Sequence, residues 1–118
     1  MAKQKTSKES LVIKKDNGKE DIVLDYGKLK KAVLTLRALN NPLRRNILGM
    51  LVDKREKIVT EIYTILKLEQ SVASQHLKIL RDAEIVTAMR KGKFIYYSLN
   101  KKRIAQVASL IEDLAQKE

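Results

Sequence analysis

Residues 71–98, SVASQHLKILRDAEIVTAMRKGKFIYYS, restrict the fold of this chain more than any other stretch. Three apolar residues recur at helical spacing in the first half and predict a helix over 71–83: Ala73, Leu77 and Leu80. Segments 85–90 and 94–99 are rich in β-branched and aromatic residues and are separated by Lys91-Gly92, which predicts a β-hairpin. A short amphipathic helix therefore leads directly into a hairpin.

The outer face of the predicted helix 71–83 is polar and mostly uncharged. Four side chains recur there at i, i+3, i+4 and i+7: Ser71, Ser74, Gln75 and Lys78. Ser and Gln both donate and accept hydrogen bonds, which suits the base edges of a DNA major groove, while Lys78 and Arg81 can reach phosphate or guanine. On this helix alone, an ordinary solvated face would be the better explanation.

The hairpin that follows is strongly basic. No acidic residue occurs between Glu84 and Glu112, and the predicted tip carries three cations: Arg90, Lys91 and Lys93. Such a tip can straddle a phosphate backbone or enter a minor groove, although charges on a hairpin also prevent edge-to-edge pairing. Helix, break, helix with a polar face and basic hairpin is the order of a winged helix-turn-helix, which favours DNA binding.

Helical periodicity extends to both sides of this region. It predicts a first helix over 28–39 and a last helix over 101–116. Asn41-Pro42 supplies an N-cap and a first-position proline for a second helix that extends to about residue 53. A third helix is expected to begin near Thr60, whose hydroxyl can cap it.

The N-terminal segment has a different pattern. Residues 1–10 are basic and polar, which indicates a mobile tail. The apolar runs 11–13 and 22–24 flank Asp16-Asn17-Gly18-Lys19, and Asn-Gly between apolar runs predicts a β-hairpin.

The apolar stripes of the first and last helices are wide for so small a domain. An ordinary core helix is one explanation, but a two-fold interface accounts better for their width. The predicted dimer interface comprises Leu29, Val33, Leu36, Ile104, Val107, Leu110, Ile111 and Leu114.

The charge balance indicates a polyanionic partner. Lys and Arg outnumber Asp and Glu by 25 to 14, giving a net charge of +11. Nucleic acid is the first candidate and an anionic membrane surface the second. The longest apolar run, 47–52, is too short to span a bilayer, no signal peptide is evident, and a cytoplasmic location is expected.

Residues 36–100 resemble the ArsR/SmtB family of bacterial winged-helix repressors. The resemblance rests on three segments in the same order: ALNNPLRRNIL at 38–48, SVASQHLKILRDAEIV at 71–86 and RKGKFIYYSL at 90–99. It implies a homodimer built by the first and last helices, two recognition helices that contain Ser74, Gln75 and His76, and a wing tip at 90–93. Lys67 stands where the family usually has a turn glycine.

The resemblance raises the question of metal sensing. Where related sensors carry cysteines, this chain has Ile58 and Thr60, and its last helix offers only carboxylates: Glu112, Asp113 and Glu118. The chain has no cysteine and a single histidine, His76, so neither a metal nor another cofactor is expected. Ser74 and His76 are two residues apart on a helix and point apart, and no other catalytic arrangement is evident.

Together these observations predict a mainly α protein with a small β-hairpin wing (α+β), a dimeric winged helix-turn-helix. Residues 1–27 would form the tail and hairpin, and 28–118 the DNA-binding domain. The expected function is sequence-specific regulation of transcription by a homodimeric repressor on a palindromic operator in double-stranded DNA. The alternatives are a winged-helix protein-interaction module and a protein that binds RNA or anionic membrane through charge. No residue pattern identifies an effector.

Overall fold

The computed structural model describes residues 3–6, 9–15, 20–53 and 56–116. By contacts, the chain divides into two compact units, residues 1–34 and 35–118. The elements in the described ranges are β1 (Lys3–Thr6), β2 (Ser10–Lys14), β3 (Ile22–Asp25), α1 (Tyr26–Leu39), α2 (Pro42–Met50), β4 (Lys57–Ile58), α3 (Val59–Leu66), α4 (Gln70–Asp82), β5 (Val86–Lys91), β6 (Phe94–Leu99) and α5 (Lys101–Ala115).

The first unit contains an antiparallel sheet in the order β1-β2-β3. The predicted N-terminal hairpin is confirmed, because β2 pairs with β3 with Ile13 opposite Ile22 and Leu11 opposite Leu24. Its turn, residues 16–19, lies outside the described residues. The prediction of a mobile tail is wrong for residues 3–6, which pair with β2, since the free edge of the hairpin can bind a polar segment through backbone groups alone.

Helix α1 begins two residues earlier than predicted. The Asp25 carboxylate accepts hydrogen bonds from the backbone N–H groups of Gly27 (2.8 Å) and Lys28 (3.1 Å). A side chain that satisfies the free N–H groups of the first turn fixes where a helix starts. The apolar periodicity from residue 28 onward does not reveal this cap.

The second unit is held together by one apolar cluster. α2, α3 and α4 surround it, β5 closes it, and α5 contributes Val107. Its large, fully buried side chains are Ile47, Leu51, Ile62, Leu77, Leu80, Ile85 and Val86. Burying such a side chain stabilises a fold by about 1.5–3 kcal/mol, so this cluster fixes the relative positions of the three helices.

The ends of α2 and α3 confirm one prediction and contradict two. The Asn41 side chain caps α2 by accepting from the Arg44 N–H at 2.9 Å, with Pro42 in the first position, as predicted. α2 ends at Met50 rather than near residue 53. Thr60 does not cap α3, because the helix already begins at Val59; Glu61 instead accepts from the backbone N–H of Ile58 at 3.0 Å.

The turn between α3 and α4 requires a left-handed residue. Lys67 has φ 56°, and the Leu68 N–H donates to the Tyr63 carbonyl at 2.9 Å. Glycine adopts this conformation without the crowding that a Cβ atom causes, so a lysine here carries a steric cost that glycine would not. α3 and α4 thus form a helix-turn-helix.

The strands after α4 form the predicted hairpin. β5 pairs with β6 from Val86 opposite Leu99 to Lys91 opposite Phe94, which leaves Gly92-Lys93 as the two-residue turn. Gly92 has φ +63°, a conformation that suits the first position of a tight hairpin turn. β4 pairs with β6 and makes the sheet three-stranded in the order β4-β6-β5. The second unit is therefore a winged helix-turn-helix.

The start of α5 secures the turn after α4. The Asn100 side chain donates to the Glu84 carbonyl at 2.9 Å, and its oxygen accepts from the Arg103 N–H at 3.2 Å. The Arg103 guanidinium reaches the hydroxyl of buried Thr35 at 3.3 Å and the Ala83 carbonyl at 3.4 Å. The C-terminal end of α4 is thereby tied to both α1 and α5.

Candidate nucleic-acid interface

The outer face of α4 presents the predicted polar side chains to solvent. Those at the four positions are all exposed: Ser71, Ser74, Gln75 and Lys78. The opposite face, comprising Ala73, Leu77 and Leu80, is completely buried. Because packing anchors one face and leaves the other open, α4 can present hydroxyl and amide groups to a ligand without rearranging the core.

Lys78 forms an ion pair one turn along the helix. Its Nζ lies 2.9 Å from an Asp82 carboxylate oxygen, and the two side chains are 75% and 65% exposed. A pair this exposed contributes little and exchanges readily with solvent. Lys78 is therefore free to exchange this partner for a phosphate.

His76 differs from its neighbours on α4 because it is half-buried and contacts α2. Its Nδ1 lies 3.2 Å from Nη1 of Arg44. Partial burial, and secondly the positive charge of Arg44, lower the pKa of His76 below its usual value. No role for Arg44 could be predicted, since nothing in the segment LRRN distinguishes an arginine that faces α4 from one that faces solvent.

The wing carries its predicted cations at the tip of the β5–β6 hairpin. Arg90, Lys91 and Lys93 are all exposed. Lys91 Nζ forms an ion pair with Glu56, which precedes β4, and lies 5.4 Å from the centroid of the Tyr96 ring. Lys93 Nζ lies 5.9 Å from the centroid of its neighbouring aromatic ring, Phe94.

The wing is therefore a pair of hydrogen-bonded strands with exposed cations near its tip, a shape suited to a phosphate backbone. The role of Glu56 could not be predicted, because Glu56 lies 35 residues before its partner Lys91 and no local pattern links the two.

Comparisons with known proteins identify the family. The sequence profile described as bacterial regulatory protein, arsR family, matches residues 41–88. The transcriptional repressor PagR of Bacillus anthracis is 32% identical over 94 residues, which cover 80% of this chain and 94% of PagR. The chain belongs to the arsR family. It is accordingly a DNA-binding transcriptional regulator, and the resemblance read from its sequence is confirmed.

Solved structures agree with this assignment. The crystal structure of PagR has a TM-score of 0.58 at 34% identity and covers 76% of this chain and 99% of its own. In sequence, the transcriptional activator HlyU of Vibrio cholerae is also similar to this chain, with 36% identity over 84 residues that cover 71% of this chain and 77% of HlyU. A homodimeric winged helix-turn-helix domain of Mycobacterium bovis has a TM-score of 0.64 at 28% identity, with 76% of this chain and 82% of that chain covered.

The predicted interface residues of this arsR-family regulator differ in exposure. Leu29 is exposed, Val33 and Leu36 are half-buried, and Ile104 packs partly against the core. Val107 is buried in the core of its own unit. On the rest of α5, three large apolar side chains remain open, Leu110 at 41%, Ile111 at 43% and Leu114 at 71% exposure.

The part of the chain that the structure describes offers neither a metal site nor a membrane-spanning helix. Those residues contain no group of three or more His, Asp or Glu placed to hold a metal ion, and Glu118 lies outside them. None of the helices in these ranges has the length and apolar character needed to cross a bilayer.

Proposed function

We propose that this arsR-family regulator is a homodimeric repressor that occludes a palindromic operator, with α4 reading bases and the wing gripping the backbone. The observation that carries the proposal is the two-sided character of α4. Its apolar face is fully buried, while Ser71, Ser74 and Gln75 are exposed. Repression by occlusion requires only that the protein occupies its site, and PagR is named a repressor.

Two features support a dimer. Large apolar side chains on α5 remain exposed, and a second copy would remove them from water: Leu110, Ile111 and Leu114. The Mycobacterium bovis domain with the same fold is homodimeric. We propose that residues 28–118 supply both DNA binding and dimerisation. Two-fold symmetry would place the two α4 helices about 34 Å apart along the DNA and require a palindromic site.

The side chains of the wing and those of α4 contribute differently to DNA binding. Arg90, Lys91 and Lys93 supply affinity for any sequence by displacing counterions from phosphate. Ser71, Ser74, Gln75 and His76 supply selectivity at the base edges, and Lys78 binds phosphate or guanine. The sequence-selective part of the binding free energy therefore resides on α4.

The test is a selection of preferred duplexes from a random DNA library by the purified chain, followed by titrations at several salt concentrations. The selected sequences should be palindromic. Gln75→Ala should weaken binding to the selected duplex by about 1–3 kcal/mol per half-site, the value of a good bidentate base contact, with little change on random DNA. Gln106→Ala, an exposed glutamine on α5, is the matched control.

The alternatives predict different results. A protein-interaction module would yield no enriched sequence. A protein that binds RNA or membrane through charge would bind every duplex alike, with a strong dependence on salt. If Gln75→Ala weakened binding to the selected duplex and to random DNA by the same factor, Gln75 would not contact the bases selectively.

A further inference from the structure

Arg44 links three helices through its guanidinium group. Its Nε donates to the Ala38 carbonyl at 2.8 Å and its Nη2 to the Arg37 carbonyl at 3.1 Å, both in the last turn of α1. Its Nη1 lies 3.2 Å from Nδ1 of His76 on α4. All three guanidinium nitrogens thus face protein acceptors, so Arg44 is held in place and is poorly suited to bind phosphate.

The contact with Arg44 determines which imidazole nitrogen of His76 carries the hydrogen. A guanidinium stays protonated in proteins and can only donate. The Nδ1 of His76 must therefore accept, so the neutral ring carries its hydrogen on Nε2. A protonated ring would place an N–H donor and a second positive charge against Arg44, so this contact favours the neutral form.

The other ring nitrogen of His76 remains available to a ligand. In the described residues, every buried side-chain nitrogen or oxygen has a hydrogen-bond partner, whereas the hydrogen bond of His76 is made by Nδ1. Because Nε2 makes no such hydrogen bond, it is not a fully buried atom. The ring belongs to the same helix as Ser74 and Gln75, which are exposed.

We propose that His76 reads the operator as a neutral hydrogen-bond donor through Nε2–H, and that Arg44 is the positioning residue that fixes its tautomer and ring orientation. This inference rests on the proposed function. A fixed donor is complementary to the major-groove acceptors, which are O6 and N7 of guanine, N7 of adenine and O4 of thymine. A charged imidazolium would instead add phosphate affinity without base choice.

The first arm of the test needs no DNA. The chain has a single histidine, so long-range 1H–15N correlation spectra of the untagged full-length protein report His76 alone. We expect the Nε2–H tautomer and a pKa below the usual value in the wild type. Arg44→Gln should give mixed tautomers and raise the pKa, and Arg44→Met, which has neither a donor nor a charge, should do the same.

Arg45 provides a matched control. Its Nε donates to the Leu39 carbonyl at 2.9 Å and its Nη2 to the Asn40 side chain at 2.6 Å, so it also binds the end of α1 but has no contact with His76 among its hydrogen bonds. Arg45→Met should leave the tautomer and the pKa unchanged. A similar change in both methionine variants would mean that α1 packing, rather than the contact with Nδ1, sets the state of the ring, and would overturn the proposal.

The second arm measures selectivity, the ratio of affinities for the selected and random duplexes. His76→Ala should lower this ratio about tenfold per half-site, a typical value for one base contact. Arg44→Gln should lower it by a smaller factor, because the donor tautomer stays partly populated. Arg44→Gln should cause no further loss when combined with His76→Ala, because Arg44 acts through the ring. An Nδ1–H tautomer in the wild type, or additive losses in the double variant, would overturn the inference. If no preferred duplex emerges, the proposed function itself fails. The first arm still tests the contact between Arg44 and His76, because it measures the tautomer without DNA, so the two failures can be told apart.

Discussion

Replacing Glu56 with Gln should strengthen DNA binding, because Glu56 holds a wing cation that phosphate must capture. Lys91 pairs with Glu56 while its Nζ lies over the Tyr96 ring. Gln keeps the size of the side chain and removes its charge, so the wing should retain its shape. The variant therefore isolates the electrostatic contribution of the ion pair to DNA binding.

The exposure of this pair sets the magnitude. The Lys91 and Glu56 side chains are 49% and 39% exposed, and solvent screens their attraction. Pairs of this kind contribute about 0.2–1 kcal/mol, so two wings in a dimer would contribute about 0.4–2 kcal/mol. Affinity should thus rise about 2- to 30-fold, since about 1.4 kcal/mol corresponds to a factor of ten. The salt dependence should steepen by up to about one counterion per wing.

Fluorescence anisotropy with a labelled random-sequence duplex measures this effect without knowledge of the operator. A double-mutant cycle comprises Glu56→Gln, Lys91→Met and the double variant. Lys91→Met should weaken DNA binding more in the Glu56→Gln background than in the wild type. Glu112→Gln removes the same charge from α5 and controls for net charge. Additive changes in binding free energy across the cycle, or an equal gain in affinity from Glu112→Gln, would refute the idea that Glu56 competes with phosphate for Lys91.

Two further predictions concern stability, measured by urea unfolding. Lys67→Gly should raise the free energy of unfolding by up to about 1 kcal/mol, because glycine removes the steric cost of the left-handed conformation; an unchanged or lower value would mean that Lys67 is not strained. Leu77→Ala should lower the free energy of unfolding by about 2–5 kcal/mol through the cavity it creates. The half-exposed Ile79 on the same helix is the control, and similar losses for Ile79→Ala would contradict the division of α4 into two faces.

The winged helix-turn-helix could be predicted because local patterns determine its elements. α4 shows apolar residues at helical spacing, and the wing strands are separated by a glycine that the turn requires. The Asn41 cap could also be predicted from a residue type and the proline that follows it. Each of these features depends on residues a few positions apart.

Two omissions, β1 and the contact of Arg44 with His76, share a physical cause, which is that their determinants are distant in the sequence or belong to the backbone. β1 could not be predicted because Lys3-Gln4-Lys5-Thr6 has no apolar alternation and pairs through main-chain groups with an existing hairpin edge. The contact of Arg44 with His76 joins residues 32 positions apart, and its existence depends on how α2 packs against α4. Periodicity identifies which face of a helix is buried, but it does not pair individual polar groups across the fold.

The separation of α4 into an anchored side and an open side has a consequence for divergence. If α4 reads the operator as proposed, mutations at Ser71, Ser74 or Gln75 would change which promoter is bound while the domain still folds, since none of these side chains takes part in the core. Gene duplication followed by mutation of the codons for these three exposed residues would then yield regulators with new target sequences. Paralogues of this kind would share a melting temperature and differ in the genes they control.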